Sequence, residues 1–296
     1  MGTSLLLTGD IAKGRVHFDR AIALYDPAEH RPLAARFGQD LAVAALSFRS
    51  VALWALGYPE LALADADHAV GAAREIGQAA PLMYAVCTSS LTHIHCGNYV
   101  VANAQLDEVV ALADEKGSLY WKALGTLNQG SPFALTGRAS DAIQMLTSGL
   151  TAYRSTGATL YMPFWLSYLA RAYTELDQFD DAWRCIGEAM TAMQSTKENW
   201  CEAEVNRVAG EIALKSPEPD AEKAEGYFER ALTVARQQQA KSWELRAAMS
   251  LARLWRDQGK VQQARELLAP VYGWFTEGFD TLDLKEANAL LDELTA

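Results

Sequence analysis

The chain has 296 residues, 37 acidic against 26 basic side chains, a formal net charge of −11 and a half-apolar composition. That length is ample for a continuous core, and eight Trp with only 21% charged residues exclude wholesale disorder. An acidic balance without a basic block excludes a general nucleic-acid binder, because phosphate contacts need clustered Lys and Arg.

In chain order, the first element is GDIAKGRVHFDRAIALYD, a turn and a helix with Gly14, Phe18 and Ala21 on one face. Only a short MGTSLLLT precedes it, too weakly apolar for a signal peptide, so residues 1–26 read as an incomplete first repeat. Tyr25–Asp40 holds Pro27, Pro32 and Gly38, which disfavour a continuous helix, and 27–40 is expected to be an irregular connection. Asp40 is placed to cap the helix beginning at Leu41. Arg31, Arg36 and Gln39 make this connection locally cationic and are candidate loop contacts to a partner; the plainer alternative is a connector packed on the first two units.

From residue 41 to 276 the sequence repeats itself six times. Gly57, Gly97 and Gly137 stand 40 residues apart, each ending an apolar helical stretch. A small residue follows each turn, giving the series Ala62, Ala102, Ala142, Ala182, Ala224 and Ala264. Four residues further lie Ala66, Leu106, Leu146, Ile186, Phe228 and Leu268, on the same helical face. Each unit therefore reads as helix A, a turn, helix B and a second turn. In the fifth unit helix A runs roughly over 163–176 and helix B over 180–195. KSPEPDAEKAEG carries a two-residue insertion in the sixth, and residues 277–296 read as a turn and an amphipathic helix capping the last unit. The expected architecture is all-α, a single domain over 1–296: a right-handed solenoid of about seven antiparallel helix pairs with a C-terminal capping helix.

The uncharged stretch from Ile76 to Leu106 is too rich in Thr, Ser, His and Asn, with Pro81 inside it, to be a membrane span. It reads as a helix pair with a neutral surface, the first place to look for a contact or for homodimerisation. Cys87, Cys96, Cys185 and Cys201 form no CxxC and no dense framework, which fits a reducing cytoplasm.

The pattern of late Gly in helix A, a small residue early in helix B, a large apolar residue four on and Ala three further resembles the tetratricopeptide repeat. The 40-residue spacing is similar to the longer repeats of bacterial signal-transduction ATPases and maltose-type transcriptional activators. YDPAEHRPLAARFGQD with VAALSFRSVALWALGYPELA, and the ending GWFTEGFDTLDLKEANALLDEL, resemble the C-terminal repeat region of large bacterial proteins that join a class III adenylate/guanylate cyclase domain to a predicted ATPase. The resemblance implies a C-terminal fragment or detached relative of such a protein, acting in signalling as a regulatory or partner-binding region. No cyclase or ATPase residue carries over.

No phosphate loop, GxSxG or HExxH motif is present. His93 and His95 sit about 200° apart around a helix and cannot share one ion without distortion. Neither a metal, a cofactor nor catalysis by this chain is expected. Helices A should line a concave groove at fixed positions of each unit. Those positions hold Tyr84 and Thr88, Asn128, then Phe164, Tyr168 and Arg171, then Arg207, then Arg246 and Arg253. The four arginines have two readings: forks for a ligand carboxylate or phosphate, or partners of Glu204 and Glu211 on neighbouring helices. The leading expectation is a non-enzymatic scaffold binding a protein or peptide, including other domains of its own polypeptide, with no nucleic acid and no membrane among its partners. The alternatives are a small-molecule effector sensor using the groove, or a homodimerisation module.

Overall fold

The computed structural model describes residues 1–295, and every regular element within them is a helix. In chain order these are α1 (Gly2–Leu7), α2 (Ile11–Ala23), α3 (Pro27–His30), α4 (Leu33–Phe37), α5 (Leu41–Ala55), α6 (Pro59–Ile76), α7 (Ala79–His95), α8 (Tyr99–Glu115) and α9 (Leu119–Leu135). There follow α10 (Ala139–Ser155), α11 (Met162–Glu175), α12 (Phe179–Thr196), α13 (Glu202–Lys215), α14 (Ala221–Gln237), α15 (Lys241–Asp257), α16 (Val261–Tyr272) and α17 (Leu282–Glu293). Apart from the short α3 and α4, consecutive helices from α1 to α16 pair; the first pair packs on α5 through α2, and each later pair stacks on the next through its first helix as well: α5 on α7, α7 on α9, and so on to α15. This is an all-α solenoid, with α17 packed on α15 and α16.

The repeat follows from close packing. Ala62, Ala102, Ala142, Ala182, Ala224 and Ala264 have no exposed surface, and the residues four further on are equally buried. A larger side chain at the alanine position would hold the two helices of a pair apart. In the first unit Gly14 takes that place: a Cβ there would lie 3.0 Å from the Gly2 carbonyl oxygen and 3.1 Å from the Leu6 nitrogen. Within residues 27–40, expected to be an irregular connection, lie the two short helices α3 and α4, with Arg31 and Pro32 as a turn between them and Gly38, Gln39 and Asp40 non-helical. Asp26 caps α3 by accepting from Ala28 N–H, Pro27 starts it, and Gly38 at φ +68° stops α4. Asp40 caps α5, accepting from Ala42 and Val43 N–H at 2.9 and 3.0 Å, and Tyr25 donates to its other oxygen at 2.6 Å.

The uncharged stretch has a different explanation from the one its composition suggested. Its first half is α7, where nearly every residue from Met83 to Cys96 is buried between α5, α6, α8 and α9. α7 lacks charge because it is interior; only the rest of the stretch, at the start of α8, presents the neutral surface expected, with Asn98, Val100 and Val101 exposed. Among the described residues no helix is long and apolar enough to cross a membrane.

The solenoid turns far enough for its second half to stack on the ends of its first. Helices leave the carbonyls of their last turn without intrahelical donors, and the second half supplies some of them. Asn199 and Trp200 N–H donate to Leu7 O at the end of α1. Ser242 Oγ donates to Trp54 O at the end of α5 at 2.5 Å, and Arg246 Nη2 to His95 O at the end of α7 at 3.0 Å. Further out, Glu277 accepts from Glu60 and Leu61 N–H at the start of α6, while Glu60 accepts from Gly278 N–H.

This stacking separates repeat glycines that look alike in sequence. Gly57 and Gly137 both have positive φ, at +91° and +76°. A Cβ on Gly57 would meet Trp274 at 2.5 Å and Lys241 Cβ at 2.8 Å, whereas nothing lies within 4 Å of one on Gly137. Gly137→Ala is expected to cost about 1 kcal/mol, for backbone strain alone. Gly57→Ala should cost at least about 1 kcal/mol more, because it also wedges the stacked halves apart. Urea denaturation of the two variants checks this ordering.

Candidate functional site

The inner helices converge on the solenoid axis, and aromatic rings fill its middle. Trp54 stacks on His95 with centroids 3.9 Å apart, and Trp243 meets both edge-on at 4.6 and 5.2 Å. Phe164 and Trp200 pack against the same imidazole, and Tyr168 against Phe164. Burial holds the His95 pKa well below its usual value, with the nearby Arg246 charge acting in the same direction, so the ring is neutral. His93 instead reaches sideways to Asp67 of α6 at 3.3 Å.

Of the groove positions read from the sequence, Thr88, Asn128, Phe164 and Tyr168 face inward but are covered. Asn128 is fully engaged: its amide donates to Cys87 O at 2.8 Å, and its oxygen accepts from Trp165 Nε1 at 3.1 Å. Tyr84 is partly exposed, lies edge-on to Phe48 and Trp121, and is reached by the Gln39 side chain. The other two loop candidates act locally: Arg31 pairs with Glu75 at 2.8 Å, and Arg36 lies over Phe37.

The four arginines do come together. With Glu204, Glu211, Asp283 and Glu286 they line a well of about 130 Å³ among α11, α13, α15 and α17. Buried Arg207 holds Glu204 with two hydrogen bonds of 2.7 and 2.8 Å and also bonds Glu211 and Ser250. Arg246 donates to Asp283 at 2.8 Å and lies over the rings of Trp54 and Trp243. Arg253 meets Glu286 at 3.0 Å on the outside, and Arg171 stands 3.8 Å from Glu211. Of the expected pairings with Glu204 and Glu211, only Arg171–Glu211 crosses to a neighbouring helix; Arg207 pairs with both acids on its own helix, Arg246 and Arg253 pair with α17 instead, and the lining charges balance.

Burial opposes ionisation of Glu204, but the charge and hydrogen bonds of Arg207 outweigh it and hold its pKa at about 2. For Asp283 the balance goes the other way: burial raises its pKa despite Arg246 beside it. A second buried carboxylate, Glu198, lies outside the well. It accepts from Tyr161 N–H and Trp200 Nε1, and burial lifts its pKa to about 7.

Asp283 and Glu286 were not among the sequence candidates, because their helix was read only as a cap. Their i, i+3 spacing on one face of an amphipathic helix was the available signal. Tyr99, also on the wall of the well, had none.

The fold is an all-α helical-repeat solenoid of a kind found among solved structures. No family pattern matches the sequence, and no curated protein is similar to it at the sequence level. Among solved structures it is similar to a Rap protein complexed with competence and sporulation factor, with TM-score 0.65, 12% identity, and coverage of 99% of this chain and 78% of that one. It is also similar to the Rap conjugation gene regulator of plasmid pLS20 in complex with the Phr* peptide, with TM-score 0.68, 10% identity and coverage of 99% and 72%. NprR in complex with its cognate peptide NprX gives TM-score 0.59, 14% identity and coverage of 86% and 70%. At these identities the likeness is one of fold.

Removing a buried member of the charge network should hurt far more than removing an exposed one. Arg246→Gln strands Asp283 and the His95 carbonyl and is expected to destabilise by about 3 kcal/mol or more. Arg253→Ala should change stability by less than about 1 kcal/mol. Chemical denaturation at neutral pH compares the two.

Proposed function

We propose that the chain is a non-catalytic recognition module that binds a protein or peptide segment and so regulates a larger signalling assembly. The observation that carries this reading is the match over 99% of the chain to two helical-repeat proteins, one solved with competence and sporulation factor and the other with the Phr* peptide. A stack of helix pairs offers side chains at regular steps, which suits an extended segment better than a reacting centre. The thiols support a non-catalytic role: burial pushes the pKa of all four cysteines up, that of Cys185 to about 11, which disfavours a thiolate nucleophile.

With the middle of the axis filled, the rim formed by the starts of α5, α7 and α9 is the surface left for a segment. Tyr84, Trp121 and Gln39 lie there, with Leu41 and Leu119 exposed. Partly exposed aromatics beside apolar side chains are the usual anchors of such contacts. The natural source of the segment is another domain of a cyclase–ATPase polypeptide, as the two terminal sequence resemblances imply.

The test is selection from a displayed library of random peptides against the full chain, followed by binding to Trp121→Ala and Tyr84→Ala. Enriched peptides should lose about tenfold or more in affinity on either substitution. A failure to enrich any sequence, or peptides indifferent to both changes, contradicts the proposal. Light scattering on the same preparation separates this reading from self-association, which predicts a dimer.

A further inference from the structure

Where the two halves of the superhelix meet, they frame a cleft of about 480 Å³. On one side are α2 and the end of α5; on the other are the turn from α14 to α15 and Trp274, just past α16. Most of the lining is apolar. Ala12, Val16 and Leu56 accompany the rings of Tyr58 and Trp274, which meet edge-on with centroids 5.7 Å apart.

The charge of the cleft runs against that of the chain. A protein of net charge −11 places three cations, Arg15, Arg236 and Lys241, on this lining. Arg236 Nε and Lys241 Nζ share the single carboxylate of Glu244, at 2.8 and 2.7 Å. Arg15 stands 3.7 Å from Asp19, too far for a hydrogen bond, and Asp19 already accepts from Arg49. Arg49 is itself balanced by two hydrogen bonds to Asp65. Three cations therefore face two carboxylates, and one positive charge is unmatched.

The free donors sit beside the rings. Arg15 lies over Tyr58 at 5.2 Å from its centroid, and Lys241 over Trp274 at 5.5 Å. Among the described residues Arg236 bonds through Nε alone, which leaves the terminal nitrogens of its guanidinium available. A planar guanidinium presents such donors in a fork that matches a carboxylate.

Charge and surface together select the occupant. A bare inorganic anion leaves the apolar lining uncovered, and a neutral apolar molecule leaves the positive charge unmatched. A phosphate monoester carries close to two negative charges at neutral pH, more than the lining lacks. The volume is that of a small-molecule site.

The geometry points to a binding site for an aromatic monocarboxylate, whose ring packs on Tyr58 and Trp274 and whose carboxylate accepts from Arg15 and Arg236. A molecule held there touches both halves of the superhelix and ties them together. The site lies at the opposite end of α5 from the rim offered to a peptide and does not depend on that reading.

The experiment is titration calorimetry of the full chain against benzoate, phenylacetate and indolylacetate, each paired with its neutral amide, with acetate and phenyl phosphate alongside. Arg15 is partly exposed and donates no hydrogen bond within reach of Asp19, so Arg15→Gln keeps the fold; Trp274→Ala is the second variant. At least one aromatic carboxylate should bind with a Kd below about 1 mM. Arg15→Gln should weaken it about fivefold or more, through loss of a charged donor, and Trp274→Ala about tenfold. The amide should bind at least about tenfold more weakly than its acid. The proposal is overturned if no aromatic carboxylate binds, if acetate, phenyl phosphate or the amides bind as well, or if Arg15→Gln leaves the affinity unchanged. A dimer in light scattering that Trp274→Ala disperses would also overturn it, since a second copy would then cover the cleft. No peptide enters these titrations, so their failure leaves the recognition-module proposal standing.

Discussion

Three helix C-termini, those of α1, α5 and α7, receive donors from parts of the chain between 151 and 193 residues away, and the shape of the molecule rests on that exchange. A carbonyl in the last turn of a helix needs a donor from elsewhere. In an open solenoid water would provide it. Here Asn199 and Trp200, just before α13, and Ser242 and Arg246 of α15 do so, with α15 packed on α5. Once those carbonyls are covered, the rings of Trp54, His95, Trp200 and Trp243 have no exit to solvent and must pack against one another.

The same closure explains the placement of charge. Arg246 bonds a helix-end carbonyl, pairs with Asp283 and lies over two indole rings, so a single cation joins α7, α15 and α17. Buried ion pairs add little net stability relative to apolar packing but penalise wrong arrangements heavily. A charge network at the axis therefore acts mainly on register: a solenoid that stopped short of closing, or overran, would leave Arg246 or Arg207 buried without its acid. The network is also why the axis keeps a polar well at one side of an otherwise aromatic filling.

Much of this was legible in the sequence, for a physical reason. The alanine and glycine series reports contacts between neighbouring helices, which recur every unit and so leave a period. The caps at Asp40 and the boundaries of α11 and α12 follow from equally local rules. The closure was not legible, because each contact that makes it occurs once. Nothing distinguishes Gly57 from Gly137 until Trp274 is seen against one and open space beside the other. For the same reason the uncharged run around α7 suggested an outer surface when it is the most enclosed helix of the first half. The four arginines could be placed on one face from the period alone, yet half of their acids come from a helix outside the repeat.

The superhelix is closed, with its second half seated on the ends of its first. A direct measurement is the electron–electron spin distance between labels at two exposed sites, Leu24 on the first pair and Val261 on the last, each changed to Cys. The native cysteines are buried and unreactive, so labelling is confined to the introduced ones. Closure predicts a single narrow distance distribution that broadens in Arg246→Gln. A broad distribution in the unsubstituted background, extending to distances of an unwound solenoid, would contradict it.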